Sequence, residues 1–148
     1  MQLVELLNKH LKSDELTELF QDYDVDVTYH DDRLHENGGD SYRAQIDALG
    51  LEFLFNAKQM LVAIFIGEGR EAKSILNNAP KYGIQVFLSK AEAIEFALNS
   101  GIVIQEGYTN ILSWDLDWVK FMLGNYFIHY EYSKNTLNKV TLQVESAE

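Results

Sequence analysis

The chain has 148 residues, 47% hydrophobic and 12% aromatic, with one proline, so it can bury the core of a single domain and is not intrinsically disordered. It has no cysteine, which removes disulfides and thiolate metal sites. Its 23 acidic residues against 12 basic ones give a net charge of −11. That field repels nucleic acid and anionic lipid, and either keeps the protein soluble or speeds its encounter with a basic partner.

In chain order, Leu3, Leu6, Leu7 and Leu11 fall at helical spacing and predict a short amphipathic helix over 2–11. The opening "MQLVELLNKHLKSDEL" has neither the basic nor the apolar region of a signal peptide. No segment reaches the ~20 apolar residues that cross a membrane. A soluble, cytoplasmic protein is the expectation. Ser13 is a good N-cap for a second helix, with Asp14 and Glu15 in its first turn and Leu16, Leu19, Phe20 and Tyr23 on its apolar face.

"VDVTYH" reads as an irregular or edge strand followed by a loop. "YRAQIDALGLEFLF" and "MLVAIFIG", separated by "NAKQ", predict a β-hairpin. A helical turn over 70–77 stops at "NNAP", and "YGIQVFLS" is the next strand candidate. Ser89 and Glu92 form a capping box for a helix that ends at Asn99-Ser100-Gly101. "WVKFML" and "YFIHYEYS" flank the two-residue connection Gly124-Asn125, and "SKNT" leads into "LNKVTLQV". Within "YFIHYEYS", Phe127, His129 and Glu131 alternate with Ile128, Tyr130 and Tyr132, the period of a half-buried strand. No internal repeat and no linker stand out. The expectation is one domain over 1–148, α+β, with a meander-rich antiparallel sheet of five to seven strands and helices mainly on one face.

Three motifs invite a cofactor or metal. Gly67-Glu68-Gly69 with Ala72 has the spacing G-x-G-x-x-A. A dinucleotide fingerprint also needs a βαβ unit and an acidic residue about 20 positions on. Here the preceding strand belongs to a hairpin, Pro80 breaks the following helix, and Glu68 and Glu71 would stand beside the phosphates. The glycines are read as a sharp exit from a strand, and no cofactor is expected. Asp22, Asp24 and Asp26 match the first ligand positions of a calcium loop, but Val27 replaces its glycine and Arg33 its glutamate. His30 and His35 lack the i, i+4 spacing of a helical zinc site, so no metal is expected.

From Asp22 to Asp40 the chain carries seven carboxylates against one Arg33, interleaved with Tyr23 and Tyr29. Such a run is either a solvated face or a surface for a basic protein with aromatic anchors. The residues that would make the contact are Asp22, Tyr23, Asp24, Asp26, Tyr29, Asp31, Asp32, Glu36 and Asp40.

The segments "ALGLEFLFNAKQMLVAIFI", "YGIQVFLSKAEA" and "NYFIHYEYSKNTLNKVTLQ" resemble the small immunity proteins of bacterial toxin–immunity systems, including contact-dependent inhibition and related neisserial systems. The shared positions are Gly50 to Phe55, Leu61 to Phe65, Gly83 to Leu88, Tyr126 to Tyr132 and Val140 to Leu142, within 48–144. The chain departs from that pattern where "LNSGIVIQEGY" replaces a glycine-proline turn. The resemblance implies a non-catalytic cytoplasmic protein that occludes the active site or substrate groove of one cognate toxin, with neither nucleic acid nor membrane as partner. A nuclease with a basic cleft would suit the −11 charge. The matched positions are mostly core positions, so the acidic residues are assigned by charge alone. The rivals are an enzyme with a pocket between sheet and helices, using His129, Glu131 or Asp115 as acid–base groups, and a non-catalytic adaptor. The oligomeric state is not legible.

Overall fold

A computed structural model describes residues 1–31, 39–67, 75, 77–112 and 114–145. Its strands are β1 (Asp26–His30), β2 (Ser41–Ile46), β3 (Leu51–Phe55), β4 (Leu61–Ile66), β5 (Val103–Ile111), β6 (Trp114–Met122), β7 (Tyr126–Ser133) and β8 (Thr136–Val144). All eight form one antiparallel sheet in the order β1-β2-β3-β4-β8-β7-β6-β5. Two helices of eight residues or more stand among the described residues, α1 (Asp14–Gln21) and α2 (Lys90–Ser100). The expected α+β fold with five to seven strands is therefore corrected to a strand-dominated sheet of eight.

The miscount has three local causes. "YRAQIDALGLEFLF" is two strands, because a 3-10 turn at Asp47–Leu49 reverses the chain and Gly50 N–H closes it on Asp47 O at 3.1 Å. "YGIQVFLS" is extended but joins no strand. It crosses the core, with Ile84 and Phe87 buried, and the Tyr130 and Tyr132 hydroxyls donate to the carbonyls of Gln85 and Phe87 at 2.7 and 3.0 Å. Side chains thus satisfy backbone groups that a strand would satisfy through a ladder. The stretch after α2, for which no element was predicted, is the nine-residue β5.

The helix expected over 2–11 is a single 3-10 turn, Leu3–Leu6. A ten-residue helix is marginal by itself. After Leu6 the backbone bonds instead to the start of β4: Asn8 N–H to Leu61 O, Leu61 N–H to Lys9 O and Leu11 N–H to Gln59 O, each 2.8 Å. The leucines still face inward; Leu3 and Leu6 are buried and Leu7 and Leu11 pack against the core.

The architecture repeats at the level of elements, although the sequence does not. A 3-10 turn and α1 precede the meander β1–β4; a 3-10 turn (Ala79–Tyr82) and α2 precede the meander β5–β8. The two meanders join through the β4–β8 pair, leaving β1 and β5 as the edges. Apart from register shifts at Leu54/Phe55 and Glu131/Tyr132, partners line up across the sheet. One row of partners runs Val27, Ala44, Phe53, Ile64, Leu142, Ile128, Phe121, Ile104. Both helices cover this apolar face. Phe20 of α1 meets Phe53 edge-on at 5.4 Å, and Phe96 of α2 stacks on Phe121 at 6.3 Å. Each helix is capped as its sequence predicts: the Ser13 hydroxyl accepts from Leu16 N–H and the Ser89 hydroxyl from Glu92 N–H. The Glu92 carboxylate reaches back to Leu88 N–H, one residue earlier than the standard box.

Candidate functional site

β1 is an edge strand whose five residues are all exposed. Alternation places Val27 and Tyr29 on the helix-covered face and Asp26, Thr28 and His30 on the other. Large apolar side chains still reach solvent here: Val27 is 59% and Tyr29 52% exposed. The Tyr29 ring stacks on Tyr42 of β2 at 5.0 Å, and its hydroxyl donates to Asp40 Oδ2 at 2.5 Å. That hydrogen bond, helped by desolvation and the Asp40 charge, raises the Tyr29 hydroxyl to about 12. Tyr29 is thus a neutral, oriented aromatic platform rather than a free rotor.

Of the nine acidic-segment residues singled out by charge, the structure places seven. Asp22 caps the C-terminus of α1, exposed Tyr23 and Asp24 follow it, and Asp26, Tyr29 and Asp31 lie on or just past β1. Asp40 stands at the entry to β2, tied to Tyr29. Asp32 and Glu36 fall outside the described residues, as do His35, Glu68, Gly69, Glu71 and Ala72. These carboxylates are spread from the end of α1 through β1 to the entry of β2, and no group of three metal-ligating residues gathers among the described residues. A carboxylate at a helix C-terminus opposes the helix dipole, so helix stability does not explain Asp22.

The acid–base residues of the enzyme reading are split. Asp115 falls on the helix-covered face, whereas His129 and Glu131 belong to the opposite one. A cleft of about 460 Å³ lies away from all three, between the N-terminal turn and α1, among Gln2, Glu5, Lys9, Glu15 and Glu18. Gly67 leaves β4 at φ +87°, and β4 pairs antiparallel with β3 and β8, so the βαβ context of a dinucleotide fingerprint is missing at that strand.

Sequence reasoning missed the helix-free face. One row of cross-strand partners there reads Asp26, Gln45, Glu52, Phe65, Thr141, His129, Lys120, Gln105. Its cations lie over its rings: Lys120 over Phe127 at 4.2 Å, Lys139 over Phe65 at 4.7 Å and Arg43 over Phe65 at 5.7 Å. Arg43 also pairs with the buried Glu52 at 2.7 Å. These contacts pack long side chains flat and satisfy the charges locally. The alternation of β7 was visible in sequence, but which residues meet across strands depends on register.

Lys90, the first residue of α2, ties that helix to the β5 side of the sheet. Its amine pairs with Asp117 at 2.6 Å and Glu106 at 3.3 Å. Burial pulls the amine down, yet these hydrogen bonds outweigh it and leave Lys90 above its ordinary value.

No family model, no curated protein and no solved structure matches this chain. No helix among the described residues is long and apolar enough to cross a membrane.

Proposed function

We propose that this chain is a non-catalytic binding protein of the immunity type, which captures a basic toxin domain in the cytoplasm along its acidic β1 edge and so occludes that toxin's substrate groove. One observation carries the reading: a fully exposed edge strand bearing Asp26 and an oriented tyrosine, with Asp22 and Asp24 in the approach to it and Asp31 just after it. An open edge offers backbone groups to a partner strand. Tyr29 offers a rigid ring at low entropic cost, and the carboxylates steer a cationic surface toward both. The net charge of −11 extends the same field over long range.

The test is stopped-flow association with the toxin domain encoded beside this protein, using wild type and the triple variant Asp22→Lys/Asp24→Lys/Asp26→Lys. Circular dichroism checks that the variant is folded. Association of the variant is expected to slow by about tenfold or more at low salt. Wild-type association slows as the Debye length shrinks from about 10 Å at 0.1 M to about 3 Å at 1 M salt. A folded triple variant that associates and protects cells as wild type does would move the contact off this edge.

A further inference from the structure

The two edges of the sheet are managed in opposite ways. β1 carries Asp26 and is flanked by Asp22, Asp24 and Asp31, so a second copy's β1 is repelled. Among the described residues β5 lacks most of the usual protections of an edge. It contains no proline and no lysine, and it pairs with β6 over nine consecutive residues without a register shift. Its one charged residue, Glu106, pairs with Lys90 at 3.3 Å, an amine it shares with Asp117 at 2.6 Å. Large apolar side chains are exposed along it: Val103 at 68% and Tyr108 at 59%, with Leu112 at 91% in the turn that follows.

We infer that β5 is a self-association seam: two copies of this chain pair β5 to β5, antiparallel, about a two-fold axis at Gly107, the strand's central residue. In that register Glu106 stands opposite the partner's Tyr108, and Gln105 opposite the partner's Thr109. No like charges face each other across the seam, so the net charge of −11 opposes self-association only at long range, where salt screens it. The axis lies perpendicular to the sheet, so both helix-covered faces fall on one side. α2 packs against β5 and β6, and the pairing brings it beside its symmetry mate, each with a Leu98 that is 71% exposed. The contact is isologous and closed, because each copy has one such edge. A single strand pair with flanking helix contacts sits near the low end of stable interfaces, roughly 1,000 Å² in total, so the dimer forms in a concentration-dependent way.

The test is sedimentation equilibrium of the full chain across concentration, at low and high salt. Wild type is expected to pass from the 17.0 kDa single chain to twice that mass, and more readily at high salt, where the residual repulsion between two acidic copies is screened. That salt response is opposite in sign to the one expected for capture of a basic partner at β1, so the two readings fail separately. Gln105 and Thr109 are both exposed on the helix-free face. Gln105→Glu/Thr109→Glu sets four carboxylates against one another across the axis and is expected to hold the protein at one chain. Gln105→Glu/Thr109→Lys sets two opposite-charge pairs across the axis and is expected to restore the dimer. Circular dichroism establishes that both variants keep the fold. A mass of one chain up to roughly 1 mM wild type overturns the seam. So does a dimer that survives in the four-carboxylate variant, and so does a charge-swapped variant that stays single.

Discussion

The indole of Trp118 lies over the α-carbon of Gly107, its cross-strand partner on β5: a methyl added to that glycine would come 2.5 Å from Trp118 Cζ2. The glycine is a seat for the ring. Gly107→Ala is expected to unseat the indole and to cost about 1–3 kcal/mol, the range for overpacking. A double-mutant cycle in urea checks the cause. In a Trp118→Ala background the penalty should largely vanish. If it persists there, the methyl is acting on something other than the ring.

His129 sets a pH dependence. Burial, then the charges of Lys120 and Lys139, lower its imidazole from the ordinary 6.5 to about 4. At neutral pH it is uncharged, and its 3.5 Å approach to Glu131 is not an ion pair. The unfolded chain takes up a proton near 6.5 and the folded one only near 4, so the unfolded state binds more protons between them. Stability from this residue is full above about 6.5 and falls as pH drops toward about 4. His129→Gln should remove that component. Urea midpoints at about pH 7.5 and about pH 5 should show a larger acid loss in wild type than in the variant. Equal losses would place the imidazole in a solvated, unperturbed site.

Tyr130 and Tyr132 clamp the segment leading into α2 through hydroxyl bonds to Gln85 O and Phe87 O. Each Tyr→Phe change keeps the ring and strands a carbonyl, at roughly 0.5–3 kcal/mol depending on burial of the orphan. Gln85 is exposed and Phe87 buried, so Tyr132→Phe should lower stability more than Tyr130→Phe. Burial raises both hydroxyls above their ordinary 10.0, and the nearby Glu92 adds to the shift at Tyr132. The clamp's stability is therefore present below pH 10 and lost as pH climbs through the folded-state values. Chemical denaturation of both variants, repeated at alkaline pH, reads the ranking and the slope. The reverse ranking would mean that water does not replace the hydroxyl at Gln85.

Much of the strand content was legible because its signals are local. The alternation in 126–133, the two-residue Gly124-Asn125 turn and the caps at Ser13 and Ser89 all lie within a few residues of what they specify. What failed depended on distant partners. The 2–11 leucines show helical spacing, but a tertiary partner at Gln59–Leu61 claimed the backbone. "YGIQVFLS" has strand composition, yet tyrosines 45 residues away satisfy its carbonyls. β5 was hidden because Gly107 interrupts its pattern, and the reason for that glycine is Trp118 on the next strand. The acidic edge was found as a run of charge. That it borders an open strand, with Tyr29 oriented by Asp40, depends on pairing across eleven residues.

Gly67 provides the last prediction, and it bears on the glycine spacing that suggested a phosphate loop. Gly67 and Gly101 both adopt left-handed backbone, at φ +87° and +71°, where a side chain costs about 1–2 kcal/mol. Their surroundings differ. A methyl on Gly101 meets nothing within 4 Å, whereas one on Gly67 would overlap Ile75 Cδ1 at 2.3 Å, and Ile75 is fully buried. Gly101→Ala should therefore cost only the backbone strain. Gly67→Ala should add an overpacking penalty of about 1–3 kcal/mol. Pairing it with Ile75→Ala should remove the overlap but leave the φ strain and a cavity. Urea midpoints of wild type, Gly67→Ala, Ile75→Ala and the double variant, compared as a cycle with Gly101→Ala measured beside them, separate these contributions. Equal costs at Gly67 and Gly101 would show that Ile75 yields without resistance, and that Gly67 serves the turn through its backbone alone.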